Sequence, residues 1–174
     1  MLKTGRENLY LRKYRLQDIP LYAEFASNPE ICRYMRDDFP HPCTPERAEA
    51  YILGAMGGHK TTHFAIDFQG GFAGDIHLQP QTDILRHSAL LGYWLAEPFW
   101  GCGIMTEAVK TITQYGFLVL GLKRIVARVL ADNVASVKVL EKAGFIREGY
   151  FKRAVIKHGE YLDQAQYARD IFQE

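Results

Sequence analysis

A short loop with two glycines leads into a long amphipathic helix near the middle of this chain. The loop is Trp100-Gly101-Cys102-Gly103, and from Ile104 onward apolar residues recur with the 3.6-residue period of a helix that has one face on a core. Closely spaced glycines let a backbone bring its amides near a ligand. The first N–H groups of a helix also carry the positive end of its dipole. The loop is therefore either a site for a phosphate or a tight strand-to-helix connection.

Two familiar phosphate-binding motifs are excluded. The chain has no G-x-x-x-x-G-K-[ST] sequence here, and Thr106 occupies the position of the third glycine of the dinucleotide fingerprint. The segment before the loop, Leu90 to Leu95, is an apolar and aromatic run that is long enough for a buried strand and too short for a helix. The chemistry of the loop must therefore be assigned from more than its glycines.

A second strand and helix follow the long helix. Arg124 to Leu130 is rich in β-branched residues and predicts a buried strand. Asp132 or Asn133 is then placed to cap a helix that continues to about Ala143, and Gly144 ends that helix.

Taken together, the two segments resemble the GNAT N-acetyltransferases, and within them the ribosomal-protein N-terminal acetyltransferase-like (RimJ/RimL-type) branch. That branch has a loop and helix of the form YW…WGxGxMTEA, followed about 30 residues later by N-x-x-S…EK-x-GF, and this chain has both. The general GNAT signature is Q/R-x-x-G-x-G/A. Here Trp100 replaces its first residue and Met105 its last. The resemblance runs from about residue 8 to the C-terminus.

The resemblance implies a fold and a cosubstrate. The fold is a mixed, mostly antiparallel sheet of about seven strands flanked by about four helices, with two central strands that splay apart. The cosubstrate is acetyl-CoA, with its pyrophosphate on the loop amides and its pantetheine beside the strand before the loop. One of two lysines of the second helix, Lys138 or Lys142, would meet the adenosine phosphates, unless both form a solvated helix face. The residues implied for cofactor binding are Tyr93, Trp94, Leu95, Trp100, Gly101, Cys102, Gly103, Ile104, Met105, Thr106, Asn133, Ser136, Lys138 and Lys142.

The reaction implied is direct acetyl transfer to a primary amine, which is the α-amine of a protein or peptide or that of a small amino compound. The transfer needs a neutral nucleophile, stabilisation of the oxyanion and protonation of the leaving thiolate. An α-amine with a pKa of about 7.7 to 8.0 is partly neutral at pH 7, whereas a lysine amine at about 10.4 is almost fully charged. An α-amine acceptor therefore demands little of a general base.

Four residues are candidates for proton transfer. The position that holds a tyrosine in many family members is Leu140 here, so Ser136 becomes the proton donor or thiolate partner, unless it supports the helix cap. Tyr150 is a second candidate acid, although it could also serve packing. Glu97 and His77 are candidate bases, acting directly or through water. The alternatives for these two are a surface carboxylate and an imidazole satisfied by structural contacts.

Composition limits the other possibilities. A chain of 174 residues predicts one domain spanning residues 1–174, and a net charge of +1 gives no general attraction to nucleic acid or to an anionic membrane. The absence of a long apolar run or a signal-peptide pattern predicts a cytoplasmic protein. Three cysteines without metal-binding spacing predict reduced thiols and no metal site. Monomer and homodimer both stay open, and the alternative to an enzyme is a CoA-binding regulatory module without turnover.

The remaining elements are expected on either side of the central unit. A first strand is predicted at residues 8–14, with Asp18 as a candidate N-cap of the helix that follows. Helices are predicted at 29–35 and from Thr44-Pro45 to about Met56, before Gly57-Gly58. Hairpins are predicted at 63–78 and after Phe145, the second with its turn near His158-Gly159. In the family, the early helices form a wall of the substrate site, so acceptor choice is expected to depend on residues 20–45.

Overall fold

The computed structural model describes residues 1–57 and 62–172. Five helices have the bounds α1 Ile19–Ala26, α2 Pro29–Cys32, α3 Pro45–Met56, α4 Ile104–Leu118 and α5 Val134–Lys142. Eight strands have the bounds β1 Leu2–Lys3, β2 Leu9–Arg12, β3 His63–Phe68, β4 Gly71–Pro80, β5 Ser88–Leu95, β6 Arg124–Leu130, β7 Ile146–Lys157 and β8 Glu160–Asp170.

The strands are hydrogen-bonded in the order β1-β2-β3-β4-β5-β6-β8-β7. The β5–β6 pair is parallel, whereas the pairs β1–β2, β2–β3, β3–β4, β6–β8 and β7–β8 are antiparallel. This confirms the predicted mixed and mostly antiparallel sheet. By their internal contacts the residues form two compact units, one of Met1–His77 with Tyr93–Ile104 and one of Leu78–Gly92 with Met105–Glu174.

The first unit has an aromatic core on the side of α1 and α3. Buried side chains from both helices meet the strands there, among them Tyr22 and Ile52 from the helices and Phe72 and Trp94 from the strands. Tyr22 stacks on Tyr51 with ring centroids 5.1 Å apart and meets Trp94 edge-on at 5.3 Å. Aromatic pairs in such geometries add stability beyond the area that they bury.

A buried ion-pair cluster lies beside this core. Arg12 on β2 is only 4% exposed, and its guanidinium contacts Asp18 at 2.7 Å and Asp67 on β3 at 2.5 Å. Asp18 occupies the predicted N-cap position of α1, but its side chain makes no capping hydrogen bond to that helix. The carboxylate instead accepts both guanidinium bonds and the backbone N–H of Arg15. A fixed cation in a buried setting binds the carboxylate more strongly than a helix terminus does.

The second unit places α4, β6 and α5 in sequence. The β5–β6 register covers three residue pairs, from Ser88↔Arg124 to Leu90↔Val126, although β6 continues to Leu130. Asn133 caps α5, because its side chain accepts the N–H of Ser136 at 3.1 Å. Gly144 follows that helix with a φ of 85°, a conformation that favours glycine.

Most predicted elements are confirmed, with two differences in number. Residues 1–57 and 62–172 form eight strands and five helices where about seven and four were expected, and the strand that was not predicted is β1, of two residues. The helix expected at 29–35 ends at Cys32, while Thr44 caps α3 as predicted. Gly58 of the expected Gly57-Gly58 stop lies outside the described residues. Within residues 1–57 and 62–172, no helix is both long enough and apolar enough to span a membrane.

Candidate active site

The loop between β5 and α4 exposes its backbone. After Leu95 the chain makes a short 3-10 turn at Glu97–Phe99, and Trp100 then donates its indole N–H to the Leu95 carbonyl at 2.7 Å. Gly101 and Gly103 both have a φ of 75°, and both are exposed. Successive amides in such a conformation can form a concave site for an anion. The loop therefore exposes backbone amides that an anion could reach.

The start of α4 is anchored by apolar side chains. Ile104 and Met105 are buried, so the first turn of the helix is fixed, while Thr106 is partly exposed. Cys102 is exposed and its thiol lies 3.4 Å from the carbonyl of Trp100. The three cysteines of the chain are free thiols, as predicted.

The strand residues expected to bind the cofactor differ in how exposed their side chains are. Trp94 is 5% exposed, and its ring packs edge-on against Tyr22, Phe72 and Phe39. Leu95 is also buried, whereas Tyr93 is partly exposed. Trp94 and Leu95 therefore offer a ligand only their backbone.

A polar cluster on β3 and β4 surrounds the candidate base His77. Its Nδ1 lies 2.9 Å from Oδ1 of Asp75, which is two residues earlier on the same strand face. Tyr14 and Tyr51 donate their hydroxyls to the other oxygen of Asp75, Tyr51 at 2.9 Å. His63, directly opposite His77 in the β3–β4 register, lies parallel to it with ring centroids 4.5 Å apart. The His77 side chain is 28% exposed, while that of Asp75 is 2% exposed.

The electrostatics of the cluster favour an ionised Asp75. Burial alone would raise the pKa of Asp75, but the hydrogen bond and charge of His77, together with the hydrogen bond from Tyr14, hold that pKa below its ordinary value. Burial and then the charge of Asp75 raise the pKa values of Tyr14 and Tyr51 well above the ordinary range. Both tyrosines are therefore protonated hydrogen-bond donors to a carboxylate.

Three residues of this polar cluster also form a group that could hold a metal ion. His63, Asp75 and His77 each offer a ligand atom, and these atoms lie within 4.8 Å of one another. Both oxygens of Asp75 already accept hydrogen bonds, however. A cation at this group would compete with the imidazole of His77 for Oδ1 of Asp75.

Glu97, the second candidate base, lies in a different environment. Its Oε2 accepts the side-chain amide of Asn28 at 2.5 Å, and the residue is exposed. Glu97 and Asn28 line a cavity of about 300 Å³ together with Glu24, Phe25 and Pro98. Part of its lining comes from α1 and from the N-cap of α2, within residues 20–45, where acceptor choice is expected to be decided.

The remaining predicted residues belong to the second unit. Ser136 gives its backbone N–H to the Asn133 cap, which confirms the cap-supporting role without testing a chemical one. Lys138 and Lys142 are exposed on α5. Tyr150 donates its hydroxyl to Asp163 at 2.6 Å, and this hydrogen bond, followed by burial and the charge of Asp163, raises its pKa.

Sequence reasoning missed the partners of His77. Asp75, Tyr14, Tyr51 and His63 were not singled out. One signal was available, because Asp75 and His77 alternate with apolar residues in a strand that is otherwise nearly all apolar, and a charge in such a strand needs a partner. No local pattern pointed to the two tyrosines.

Comparisons with known proteins identify the family. The profile of the acetyltransferase (GNAT) domain family matches residues 8–146, so the chain belongs to the GNAT acetyltransferases. The uncharacterized N-acetyltransferase YnaD of Bacillus subtilis is 25% identical over 162 residues, covering 93% of each chain. The crystal structure of a GNAT-family acetyltransferase from Bacillus anthracis matches with a TM-score of 0.84 and 26% identity, covering 97% of both chains.

A further solved structure has the same fold. It is RimL, a ribosomal L7/L12 alpha-N-protein acetyltransferase in complex with coenzyme A, and it matches with a TM-score of 0.84 and 24% identity over 97% of this chain and 98% of that one. The family match confirms the predicted family and enzyme class, with acetyl-CoA as the acetyl donor.

Proposed function

We propose that this protein transfers the acetyl group of acetyl-CoA directly to a primary amine, with His77 as the general base. The acceptor is the α-amine of a protein or peptide, or of a small amino compound. The observation that carries the proposal is the contact of 2.9 Å between His77 and the buried Asp75. An imidazole that donates Nδ1–H to a carboxylate is fixed in the tautomer whose Nε2 accepts a proton.

The proton and bond changes follow from this arrangement. Nε2 of His77 takes a proton from the ammonium form of the acceptor, directly or through one water. The freed lone pair forms a C–N bond with the thioester carbon, and a backbone N–H of β5 stabilises the oxyanion. The oxyanion then collapses, the C–S bond breaks and the CoA thiolate leaves. Ser136 or solvent returns a proton to the thiolate, and the amide nitrogen loses its second proton to solvent.

Glu97 is the weaker candidate for the base. Its carboxylate is exposed and already accepts a hydrogen bond from Asn28. The cavity that it lines contains a second carboxylate, Glu24, and an aromatic side chain, Phe25. These features suit the binding of a positively charged acceptor before proton transfer. We assign Glu97 to acceptor binding and His77 to the base.

The phosphates of acetyl-CoA are assigned to the amides of residues 101–106. Support comes from the left-handed backbone of Gly101 and Gly103 and from their exposure ahead of α4, which has 15 residues. The coenzyme A complex of the similarly folded RimL agrees with a CoA site on such a chain. Asn133, Ser136, Lys138 and Lys142 stay predictions for the rest of the cofactor, and Tyr150 for the acid.

The test combines ligand binding with turnover. At 100 times its dissociation constant, acetyl-CoA should raise the melting temperature by about 5 to 11 °C. Gly103→Pro should abolish this rise, because proline fixes φ near −65° where the loop needs 75°. Gly70→Pro is the matched control, since Gly70 has a φ of 85° in the β3–β4 turn. It should lower stability but keep the acetyl-CoA response.

Turnover then separates an enzyme from a binding module. Release of free CoA thiol in the presence of a panel of peptides and small amines should identify an acceptor. Binding of acetyl-CoA without any amine-dependent thiol release would overturn the transferase assignment and leave a regulatory module. No thermal shift at saturating acetyl-CoA would overturn the loop assignment itself.

A further inference from the structure

Arg6 extends from the N-terminal segment to the glycine loop. Its guanidinium donates to the carbonyl of Cys102 and lies against the position that a β-carbon on Gly103 would occupy. Arg6 and Cys102 are 96 positions apart in sequence. The contact therefore depends on the tertiary structure, and no local pattern in the sequence indicates it.

The position of Arg6 is fixed by other contacts. The guanidinium carbon lies 5.1 Å from the centre of the Phe68 ring, which is a cation–π geometry. The turn that carries Arg6 is held by Thr4, whose buried hydroxyl donates to the Leu9 carbonyl at 2.9 Å and accepts the Arg6 N–H at 3.1 Å. These contacts fix the position of the Arg6 side chain, which is therefore not a freely moving surface cation.

The bond to Cys102 sets the direction of the next amide. A trans peptide group is planar, and its C=O and N–H point in opposite directions. Because the Cys102 carbonyl points toward Arg6, the N–H of Gly103 points away from Arg6, to the other side of the loop. Gly103, on one side of this peptide, has a φ of 75° and no side chain, so the bond from Arg6 gives the peptide a fixed contact from outside the loop.

We infer that Arg6 is a positioning residue for the phosphates of acetyl-CoA: it holds the Cys102–Gly103 peptide so that the Gly103 N–H is aimed at the bound anion. The inference rests on the proposed phosphate site of the loop. The inference gives Arg6, which lies far in sequence from the glycine loop, a role in the affinity for acetyl-CoA. Arg6 acts before chemistry, so it affects the binding of acetyl-CoA and not the rate of acetyl transfer in the complex.

The experiment compares two acetyl donors that differ in their phosphates. Acetyl-pantetheine carries the same thioester as acetyl-CoA and no phosphate. In Arg6→Met, which keeps an unbranched chain against Phe68 and removes the N–H donors, KM for acetyl-CoA should rise about 10- to 100-fold, the effect of losing a hydrogen bond from a charged donor. Its kcat with acetyl-CoA, and both constants with acetyl-pantetheine, should stay within about twofold of the unsubstituted protein.

Two further variants make the result specific. Arg6→Lys retains a charged donor and should recover part of the lost affinity for acetyl-CoA. Lys3→Met removes an exposed positive charge from β1 and should leave both donors unaffected.

The outcomes separate this inference from the proposed function. If the unsubstituted protein uses both donors with equal KM, the phosphate site on the loop is wrong and the role of Arg6 falls with it. If the unsubstituted protein prefers acetyl-CoA and Arg6→Met keeps that preference unchanged, only the role of Arg6 is overturned. An equal loss with both donors would show general damage to the fold and would also contradict the inference.

Discussion

At the scale of single residues, the pair Asp75 and His77 combines a buried charge with a partly exposed imidazole. Two tyrosine hydroxyls and the imidazole satisfy the carboxylate, so the pair is rigid and its orientation is set. A rigid pair of this kind transfers protons without reorganising. The tyrosines that hold Asp75 come from the segment between β2 and α1 and from α3, whereas Asp75 and His77 are on β4. Because these segments are far apart in sequence, the cluster has no short sequence signature.

The base assignment predicts a characteristic pH dependence. His77→Ala should lower kcat/KM about 100-fold at pH 7, which lies within the usual contribution of a general base. The loss should shrink above about pH 8, because an α-amine with a pKa of about 7.7 to 8.0 is then neutral without help. The measurement is the rate of CoA thiol release with a peptide acceptor from pH 6.5 to 9.5.

Two other variants complete that series. Asp75→Asn should cause a smaller loss with the same pH trend, since it removes the group that orients the imidazole. If Glu97→Gln shows the loss that disappears at high pH and His77→Ala does not, the base is Glu97.

At the scale of elements, the contact between β4 and β5 is closer than a side chain allows. A β-carbon on Gly74 would overlap the backbone carbonyl oxygen of Trp94 and would lie 3.0 Å from the Cα of Leu95. Backbone atoms within a sheet cannot move aside as the end of a flexible side chain can. The glycine is therefore required by packing and not by its backbone angles.

Substitution of this glycine should be costly. Gly74→Ala should lower the free energy of unfolding by about 2 to 3 kcal/mol, as expected for overpacking against a fixed backbone. Gly54→Ala in α3 is the matched control, because nothing lies within 4 Å of the added carbon. That change should raise the free energy of unfolding by about 0.5 to 1 kcal/mol. Urea denaturation at pH 7 measures both, and equal effects would contradict the packing argument.

Elements with a local period could be predicted from sequence, and contacts between distant segments could not. α4 and β5 were predictable because apolar spacing and a glycine loop specify them within about 30 residues. The N-cap position of Asp18 could be predicted, but its ion pair could not, because a capping residue and an ion-pair residue look identical until Arg12 is in place. The pairing of His63 with His77 depends on the β3–β4 register, and the reach of Arg6 depends on tertiary structure. The hairpin that contains the two histidines was predicted but its register was not, because of the irregularity at Ile66/Asp67, and no single stretch of sequence contains the contact of Arg6.

At the scale of the whole molecule, several carboxylates should make stability sensitive to acid. The pKa of Asp75 is lowered in the folded state, as are those of Glu148, through its hydrogen bond to Arg124, and Asp163, through that from Tyr150. A group with a lowered folded pKa contributes stability above its unfolded pKa, about 3.9 for aspartate. That contribution is lost as pH falls through the folded pKa.

The free energy of unfolding should therefore decrease as pH falls below about 4. Asp75→Asn should be less stable at pH 7, and its stability should fall less steeply with acid, because one of the depressed carboxylates is gone. Asp38→Asn, which changes an exposed carboxylate, should keep the slope of the unsubstituted protein. Urea denaturation at intervals from pH 3 to pH 7 measures these slopes, and parallel curves for Asp75→Asn and the unsubstituted protein would contradict the prediction.

The cluster around Arg12 has a consequence for how the first unit opens. Arg12 joins β2 to Asp18, at the start of α1, and to Asp67 on β3. Separating either partner alone would break a charge-assisted hydrogen bond of this buried network, at a cost of about 1.5 to 3 kcal/mol. Small, local opening events are therefore suppressed at this point. We expect the backbone amides of β2 and β3 near Arg12 to exchange their hydrogens with solvent in one cooperative event rather than strand by strand.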